Sequence, residues 1–252
     1  SFCLLKSIIK NKNHKLIYID KINVFQGTEH TCYGTAVHET IENMLLGKIS
    51  DPYEHFHRVF TEQLAQIDIL EDTELASEMR KQVEGTFELV EPTLDDYFSD
   101  KGGWSLVATE EALKEPITES RVQGYDFKGF IDLVIKTPDD KYHIIDWKTC
   151  SWGWDSRKKA EPMVTYQLTL YKHYFSKKHN IDPKNIETHF ALLKRTAKKN
   201  NVEFFRVTSG PKKTQNALNL LLKAVYNISK KRFIKNRLAC KGCEFYKTEH
   251  CK

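Results

Sequence analysis

The sequence predicts an α/β fold, in which helices flank a central mixed β-sheet. Apolar residues recur at helical spacing over residues 35–98, whereas residues 104–149 form short runs rich in β-branched and aromatic side chains. A helical segment at 163–178 is then followed by two further strand-like runs. This order predicts a helical N-terminal layer, a sheet core and a C-terminal helix that leads into a cysteine-rich tail.

At 252 residues the chain is long enough to bury one sizeable core. We therefore expect a single domain over 1–252, with a mainly helical part at 1–100, the sheet core at 101–210 and the final helix and tail at 211–252. The composition, 40% hydrophobic and 29% charged, excludes a disordered protein. No apolar run approaches the roughly 20 residues of a membrane span, and no secretory signal is recognised, so we expect a cytoplasmic protein.

The N-terminal part predicts three main helices. Ser1–Phe25 is interpreted as a short helix and an extended piece, and residues 26–30 as a loop. The helices are expected at Thr35–Leu46, from Asp51 and Pro52 to about Ile69, and at Thr73–Phe98 with a break at Glu91–Pro92.

The sheet core predicts strands at Trp104–Leu113, Lys141–Thr149, Ile186–Arg195 and Val202–Val207, the last two as a hairpin. Residues 119–125 and 128–136 are interpreted as one kinked strand or a hairpin about Gly124. Helices are expected at Met163–Lys178 and Lys213–Asn236.

Two acids interrupt apolar strand runs. Asp132 and Asp146 lie among aliphatic residues, where a carboxylate is costly unless it is paired, hydrogen-bonded or bound to a metal. Lys148 follows Asp146 by two residues and therefore faces the same way, because strand side chains alternate. The pattern indicates a site for a divalent metal and a phosphodiester.

Two helices carry polar pairs at a spacing of four residues, which puts each pair on one face. His38 and Glu42 lie on the first of these helices, after Gly34, which allows the backbone to approach the sheet closely. Gln167 and Tyr171 lie on the later one. One alternative is structural: His38 is a hydrogen-bonded surface histidine, and Gln167 and Tyr171 are core residues with polar tips. The other is functional: these side chains serve the acidic site by holding a phosphate or the lysine.

Four motifs in order carry a resemblance to a known family. The motifs are Gly34-x-x-x-His38-x-x-x-Glu42, Gly129-x-x-Asp132, Asp146-x-Lys148 and Gln167-x-x-x-Tyr171. Over residues 34–171 the chain resembles the RecB-like branch of the PD-(D/E)XK nucleases, including the CRISPR-associated four-cysteine exonucleases and phage exonucleases. The Pro-Asp pair of the family stands here as Ile131-Asp132. The resemblance implies a restriction-endonuclease-like core.

The resemblance also implies catalysis by Mg²⁺ or Mn²⁺. The metal ligands it implies are Asp132, Asp146, His38 and the main-chain carbonyl of Trp147. Lys148 would position or activate the attacking water, with catalytic roles for Gln167 and Tyr171 beside it. A glutamate on the preceding strand often joins such sites. Glu110 and Glu111 are both available, and because only one of two adjacent strand residues points inward, we favour Glu110. The alternative is a buried ion-pair network in a nuclease fold that has lost activity.

Three cysteines crowd the C-terminus, at Cys240, Cys243 and Cys251, a pattern that favours metal over disulfides inside a cell. The resemblance implies a structural [4Fe–4S] cluster with Cys3 as fourth ligand, although the second cysteine gap is longer than in those relatives. Zn²⁺ held with His250 or Cys3 is one alternative. Free thiols are the other.

Aromatic and basic residues are candidates for nucleic-acid contact. Trp152 and Trp154 either stack on the bases of a single strand or cap the core. Basic clusters at 194–199, 212–213 and 230–237, which include Lys194 and Arg195, either contact phosphates or are solvated.

The expected function is a metal-dependent DNA nuclease, most simply an exonuclease on single-stranded DNA or DNA ends in recombination, repair or replication, in a bacterium or a phage-infected cell. The alternatives are a catalytically silent nucleic-acid-binding subunit, or the nuclease module of a helicase–nuclease or CRISPR-adaptation assembly. Because the sequence holds no P-loop, a helicase or recombination partner would be a separate protein. The oligomeric state is left open.

Overall fold

The computed structural model describes residues 27–232 and 245–249 and confirms the α/β class. Its five-stranded sheet has the strands in sequence order. The strands are β1 Ser105–Pro116, β2 Asp126–Lys136, β3 Tyr142–Cys150, β4 Ile186–Lys194 and β5 Val202–Arg206. Because β2–β3 and β4–β5 are antiparallel whereas β3–β4 is parallel, the sheet is mixed, as expected.

Seven α-helices belong to the described residues, and none is both long and apolar enough to cross a bilayer. They are α1 Glu29–Leu45, α2 Pro52–Ala65, α3 Glu74–Gln82, α4 Val90–Tyr97, α5 Ser156–Ala160, α6 Pro162–His179 and α7 Pro211–Ser229. Short 3₁₀ turns lie at Phe87–Leu89, Ser99–Lys101 and Pro183–Asn185.

Side-chain caps fix where the first helices begin. A capping box joins Thr28 and Thr31: the Thr28 N–H donates to the Thr31 hydroxyl at 2.9 Å, and the Thr31 N–H donates back at 3.4 Å. Helix α1 therefore begins at Glu29, and the predicted loop at 26–30 is wrong in its second half. Asp51 caps α2 as predicted, since it accepts hydrogen bonds from the N–H groups of residues 53 and 54.

The predicted long helix over 73–98 is divided differently from the expectation. Thr73 caps α3, which ends at Gln82, and turns separate it from α4. Pro92 lies in the first turn of α4, where its missing N–H removes no intrahelical bond. The proline is thus compatible with the helix that it was expected to break.

Three other boundaries differ from the prediction. Residues 119–125 form turns and bends rather than a strand, with Gly124 at φ 85°. Helix α2 ends at Ala65, and α7 ends at Ser229, before the predicted Asn236. The predicted elements in Ser1–Phe25 lie outside the described residues.

Two compact units divide the chain. The described part of the first comprises residues 113–129, 210–232 and 245–249, in which α7 buries apolar residues along one face. The second comprises residues 27–112 and 130–209 and holds all the predicted active-site side chains. The expectation of a single domain stays a prediction.

The core of the second unit lies between α1–α4 and one face of the sheet. Strand alternation sends Ile145 and Trp147 into it, beside Val37 of α1. Aromatic side chains fill the helical side, where Tyr33 and Phe56 form an edge-to-face pair with ring centroids 5.5 Å apart. The residues that alternate with Ile145 and Trp147 point to the other face, which α6 covers, and these include Asp146 and Lys148.

Candidate active site

Asp132 and Asp146 lie on the adjacent strands β2 and β3. Because Leu133 pairs with Ile145 in the antiparallel register, Asp132 lies opposite Asp146. The N–H of Trp147 donates to Oδ2 of Asp132 at 2.7 Å, which links β3 directly to the carboxylate on β2. Asp146 is almost completely buried, at 1% side-chain exposure. Burial and the nearby charge of Asp146 raise the pKa of Asp132 well above its ordinary range. Two crowded carboxylates of this kind are stabilised by a cation.

Lys148 supplies one such charge. Its ammonium contacts Oδ2 of Asp146 and donates to the carbonyl oxygen of Trp147 at 3.3 Å. Oδ2 of Asp146 is buried and makes this ion pair but accepts no hydrogen bond. Lys148 also lies 5.7 Å from the centre of the Phe190 ring, a cation–π contact that steadies the ammonium. The predicted acid–lysine cluster is thus brought together.

Helix α6 orients Asp146 from the other side. The amide of Gln167 donates to Oδ1 of Asp146 at 2.8 Å and to the Tyr171 hydroxyl at 3.1 Å. The direct partner of Gln167 is therefore the acid and not the lysine. Tyr171 in turn hydrogen-bonds the main chain of Phe130. Burial and the charge of Asp146 raise the pKa of Tyr171, so its hydroxyl remains protonated at neutral pH.

Helix α1 brings a nitrogen ligand to the same place. Nδ1 of His38 lies 3.7 Å from Oδ2 of Asp132. Burial and the positive charge of Lys148 lower the pKa of His38 to about 4, so the imidazole is neutral at pH 7 and can act as a ligand. The approach depends on Gly34, because a Cβ there would lie 3.2 Å from Oγ1 of Thr149.

Glu110 and Glu111 are separated by a backbone irregularity in β1. Glu110 has φ 46°, in the left-handed region, so strict alternation fails at this point. Glu111 pairs with Lys178 at 2.7 Å and with His179 at 2.8 Å. Partial desolvation of the carboxylate and the negative charges of Glu42 and Asp146 raise the pKa of Glu110, although the residue as a whole remains exposed. Of the two glutamates, Glu110 is the one beside the acidic site.

These residues fit a divalent metal. Carboxylate and carbonyl oxygens are the ligands that Mg²⁺ and Mn²⁺ prefer, and Asp132, Asp146 and the Trp147 carbonyl supply them. Oδ2 of Asp146 accepts no hydrogen bond and is held by its ion pair with Lys148, and His38 is neutral. A dication would also relieve the repulsion that raises the pKa of Asp132.

The two tryptophans of the loop after β3 have different surroundings. Trp152 is 71% exposed. Trp154 packs edge-to-face on Phe190 and Phe205, with ring centroids 5.3 Å and 6.2 Å apart, and Lys158 lies over its ring. Trp154 therefore caps the sheet, whereas Trp152 is available for stacking.

The two basic residues predicted to bind nucleic acid have partners within the protein. Lys194 pairs with Glu203 at 3.2 Å. Arg195 donates to the hydroxyl of Ser151 at 3.1 Å and to the side chain of Gln82. Their role in DNA contact stays a prediction.

The predicted cysteine ligands, Cys3, Cys240, Cys243 and Cys251, lie outside the described residues, as does His250. Within the described part of the chain, Cys32 and Cys150 carry free thiols. The iron–sulfur, zinc and free-thiol alternatives therefore stay predictions.

A second buried polar cluster lies on the opposite face of the sheet and was missed from the sequence. His143, Glu187 and His189 each place one ligand-type atom within 4.8 Å of the others. Nδ1 of His143 lies 3.0 Å from Nε2 of His189, and both rings are almost fully buried. The only sequence signal was a histidine inside each of two apolar strands.

One proton arrangement satisfies the hydrogen bonds of both rings. Thr137 donates to Asp139 at 2.5 Å, so Nε2–H of His143 donates to the Thr137 hydroxyl at 3.0 Å. His189 then donates to Nδ1 of His143 and accepts from Tyr97 at 3.1 Å. Both histidines are neutral in this chain.

Positive charges near the cluster disfavour a cation. Arg206 pairs with Glu187 at 3.1 Å, and Lys101 lies near both rings. We therefore assign these residues a hydrogen-bonding role.

Comparisons with known proteins agree with the geometry. The model of the PD-(D/E)XK nuclease superfamily matches residues 12–248. The crystal structure of a protein from Eubacterium rectale, named "Putative exonuclease", is similar in fold, with a TM-score of 0.57 at 12% identity over 92% of this chain and 81% of that chain. The structure of SSO0001 has a TM-score of 0.40 at 13% identity, covering 84% of this chain and 92% of that chain, and carries no argument. No curated protein matches the chain.

Proposed function

Because the chain belongs to the PD-(D/E)XK nuclease superfamily, we propose that it is a metal-dependent deoxyribonuclease of the RecB-like branch, acting as an exonuclease on single-stranded DNA or DNA ends. The observation that carries the proposal is the cluster of Asp132, Asp146 and Lys148, with Asp146 oriented by Gln167.

The protein groups divide the work of phosphodiester hydrolysis. Asp132, Asp146, His38 and the Trp147 carbonyl would hold Mg²⁺ or Mn²⁺, which supplies Lewis-acid chemistry and a lowered water pKa when bound. Gln167 fixes the orientation of Asp146. Lys148 places a positive charge where negative charge develops on the phosphate, and it positions the attacking water.

Glu110 is proposed as a further ligand or base at this site. Its left-handed backbone costs roughly 1–3 kcal/mol for a residue other than glycine. Strain of this kind is retained where the surroundings require it. Here the strained residue is the glutamate whose pKa is raised by burial and by the charges of Glu42 and Asp146, whereas Glu111 pairs with Lys178.

The substrate assignment rests on a smaller set of observations. Trp152 is an exposed aromatic ring on the loop that follows the catalytic strand β3, and base stacking on such rings is typical of single-strand binding. The Eubacterium rectale protein carries the name "Putative exonuclease". A cytoplasmic role in DNA repair, recombination or replication, with a separate helicase or recombination protein as partner, agrees with this substrate.

The C-terminal cysteines are proposed to hold a structural [4Fe–4S] cluster together with Cys3, with Zn²⁺ as the competing metal. The visible absorption spectrum of freshly purified protein, together with its iron, sulfide and zinc content, distinguishes the two. A colourless protein without either metal would overturn both.

The substrate proposal is tested with end-labelled oligonucleotides. Single-stranded DNA, blunt duplex DNA, RNA and closed circular single-stranded DNA are incubated with Mg²⁺ or Mn²⁺, and the label position gives the polarity. Linear DNA is expected to be degraded from an end, whereas the circle persists. Cleavage of the circle would indicate an endonuclease, and DNA binding without cleavage in any metal would indicate the silent subunit.

Matched variants link any cleavage to the site. Lys148→Met is expected to lose roughly 10²–10³-fold in rate, a typical loss for one group that stabilises transition-state charge. Asp139→Asn serves as control, because Asp139 is a surface carboxylate paired with Lys141 at 3.1 Å. Equal loss in the control would show that the assay reports folding rather than catalysis.

A further inference from the structure

Phe130 occupies an unusual position for a large apolar side chain. It lies in the middle of β2, and 59% of its surface is exposed. Its neighbour Ile131 is fully buried, as is Leu133, which belongs to the core beneath α1. Alternation therefore sends Phe130 and Asp132 to the same face, the one that carries the active site. Their side chains leave the strand about 6.6 Å apart, two residues at about 3.3 Å each.

The backbone of Phe130 is tied to the active-site hydrogen bonds. The Tyr171 hydroxyl bonds to the Phe130 main chain and accepts from Gln167, which also holds Asp146. The phenyl ring therefore extends from a backbone as firmly placed as the acids. Single exposed apolar residues are common on protein surfaces, but this ring projects from a backbone held by the active-site hydrogen bonds, on the face that carries the acids.

We propose that Phe130 stacks on a nucleobase of single-stranded DNA next to the phosphodiester that is cut. The inference rests on the proposed nuclease function and adds a specificity-determining residue to it. The phosphate of the substrate lies against Lys148 and the metal ligands, so the adjoining base extends along the same face toward Phe130. An aromatic ring suits any base, because every base has a π-face, and this fits an exonuclease that must accept any sequence.

Stacking on Phe130 favours an unpaired strand over a duplex. In a duplex the face of each internal base is already covered by its neighbours. A terminal or unpaired base has a free face, and the ring of Phe130 can replace the neighbour that is lost. The residue thus selects nucleotides at a free end or in a single strand.

The test is a double-mutant cycle that combines substitutions of Phe130 with removal of single bases from the DNA. Binding of a fluorescent single-stranded oligonucleotide is measured by anisotropy in Ca²⁺, with DNA integrity checked on gels, and an abasic nucleotide is moved stepwise along the strand. Phe130→Ala and Phe130→Leu are expected to weaken binding of normal DNA by roughly 5- to 150-fold, the range for one stacked base. Phe130→Trp is expected to restore it, since Trp retains a π-face whereas Leu retains only bulk.

One abasic position is expected to weaken wild-type binding by the same factor and to leave Phe130→Ala unchanged. Tyr226→Ala, which removes an exposed aromatic ring from α7, serves as the matched control and should bind like wild type. Wild-type affinity in Phe130→Ala and Phe130→Leu would overturn the proposal, as would an equal loss at every abasic position. Binding is measured without cleavage. A protein that cleaves no DNA would therefore contradict the nuclease proposal, whereas the stacking proposal would still be tested by the binding data.

Discussion

The buried histidine pair predicts a specific loss of stability in acid. Burial lowers the pKa of His143 to about 4, and burial together with His143 lowers that of His189 well below 6.5. In the unfolded chain both titrate near 6.5. A histidine whose folded pKa is lowered contributes stability that is complete above pH 6.5 and is lost as the pH falls toward the folded pKa, because only the unfolded state takes up the proton.

The magnitude follows from these values. At pH 5 an unfolded histidine is almost fully protonated, whereas His143 in the folded protein, with a pKa of about 4, is not, so His143 alone lowers the free energy of unfolding by about 2 kcal/mol. The pKa of His189 is lowered as well, so the two histidines together should lower the free energy of unfolding by more than about 2 kcal/mol between pH 7.5 and pH 5, a large fraction of the total stability of an ordinary domain.

The assay is urea unfolding at a series of pH values. The variant His143→Gln/His189→Gln is less stable at pH 7.5 but should lose at least about 2 kcal/mol less than wild type on going to pH 5. His30→Gln, which removes an exposed histidine from the first turn of α1, should keep the full wild-type dependence. If the free energy of unfolding falls equally with pH in wild type and in the double variant, the assignment of two neutral, buried histidines is refuted.

Three further substitutions test single contacts. Glu110→Gly suits φ 46° and should preserve or raise the melting temperature while cleavage falls, so undiminished cleavage would remove Glu110 from the site. Gly34→Ala should crowd Thr149 and so forfeit much of the roughly 1 kcal/mol that alanine gains over glycine inside a helix, and Thr149→Ala should therefore stabilise the Gly34→Ala protein more than it stabilises wild type; equal shifts of the melting temperature by Thr149→Ala in both proteins would contradict the close approach. Gln167→Leu should lower the cleavage rate roughly 10- to 100-fold by releasing Asp146, with wild-type rates counting against an orienting role.

The acid–lysine cluster was predictable because it depends on local geometry. The period of two along a strand places Asp146 and Lys148 on one face whatever the rest of the fold does. Hydrophobic patterning likewise predicts the strands, and Asp51 marks a helix start through its own side chain. These signals lie within a few residues of the structure that they specify.

The features that were missed depend on distant contacts or on backbone exceptions. The His143–His189 pair joins residues 46 positions apart, and nothing local to either strand specifies it. Gln167 was expected near the acidic site, but its choice of Asp146 over Lys148 depends on how α6 packs on the sheet. The residue with left-handed backbone in β1 is a glutamate and not a glycine, so the sequence does not mark the irregularity. Alternation alone therefore could not separate the roles of Glu110 and Glu111.

The central claim is that the strand acids form a metal-dependent phosphodiesterase site. The measurement that tests it most directly is the rate of DNA hydrolysis as Mg²⁺ or Mn²⁺ is titrated into metal-free protein, for wild type and for Asp146→Asn. We predict no hydrolysis in excess chelator, a saturable rise with metal for wild type, and a loss of at least about 10²-fold in the variant at every metal concentration. Hydrolysis that persists in chelator, or that is equal in Asp146→Asn, would contradict the account.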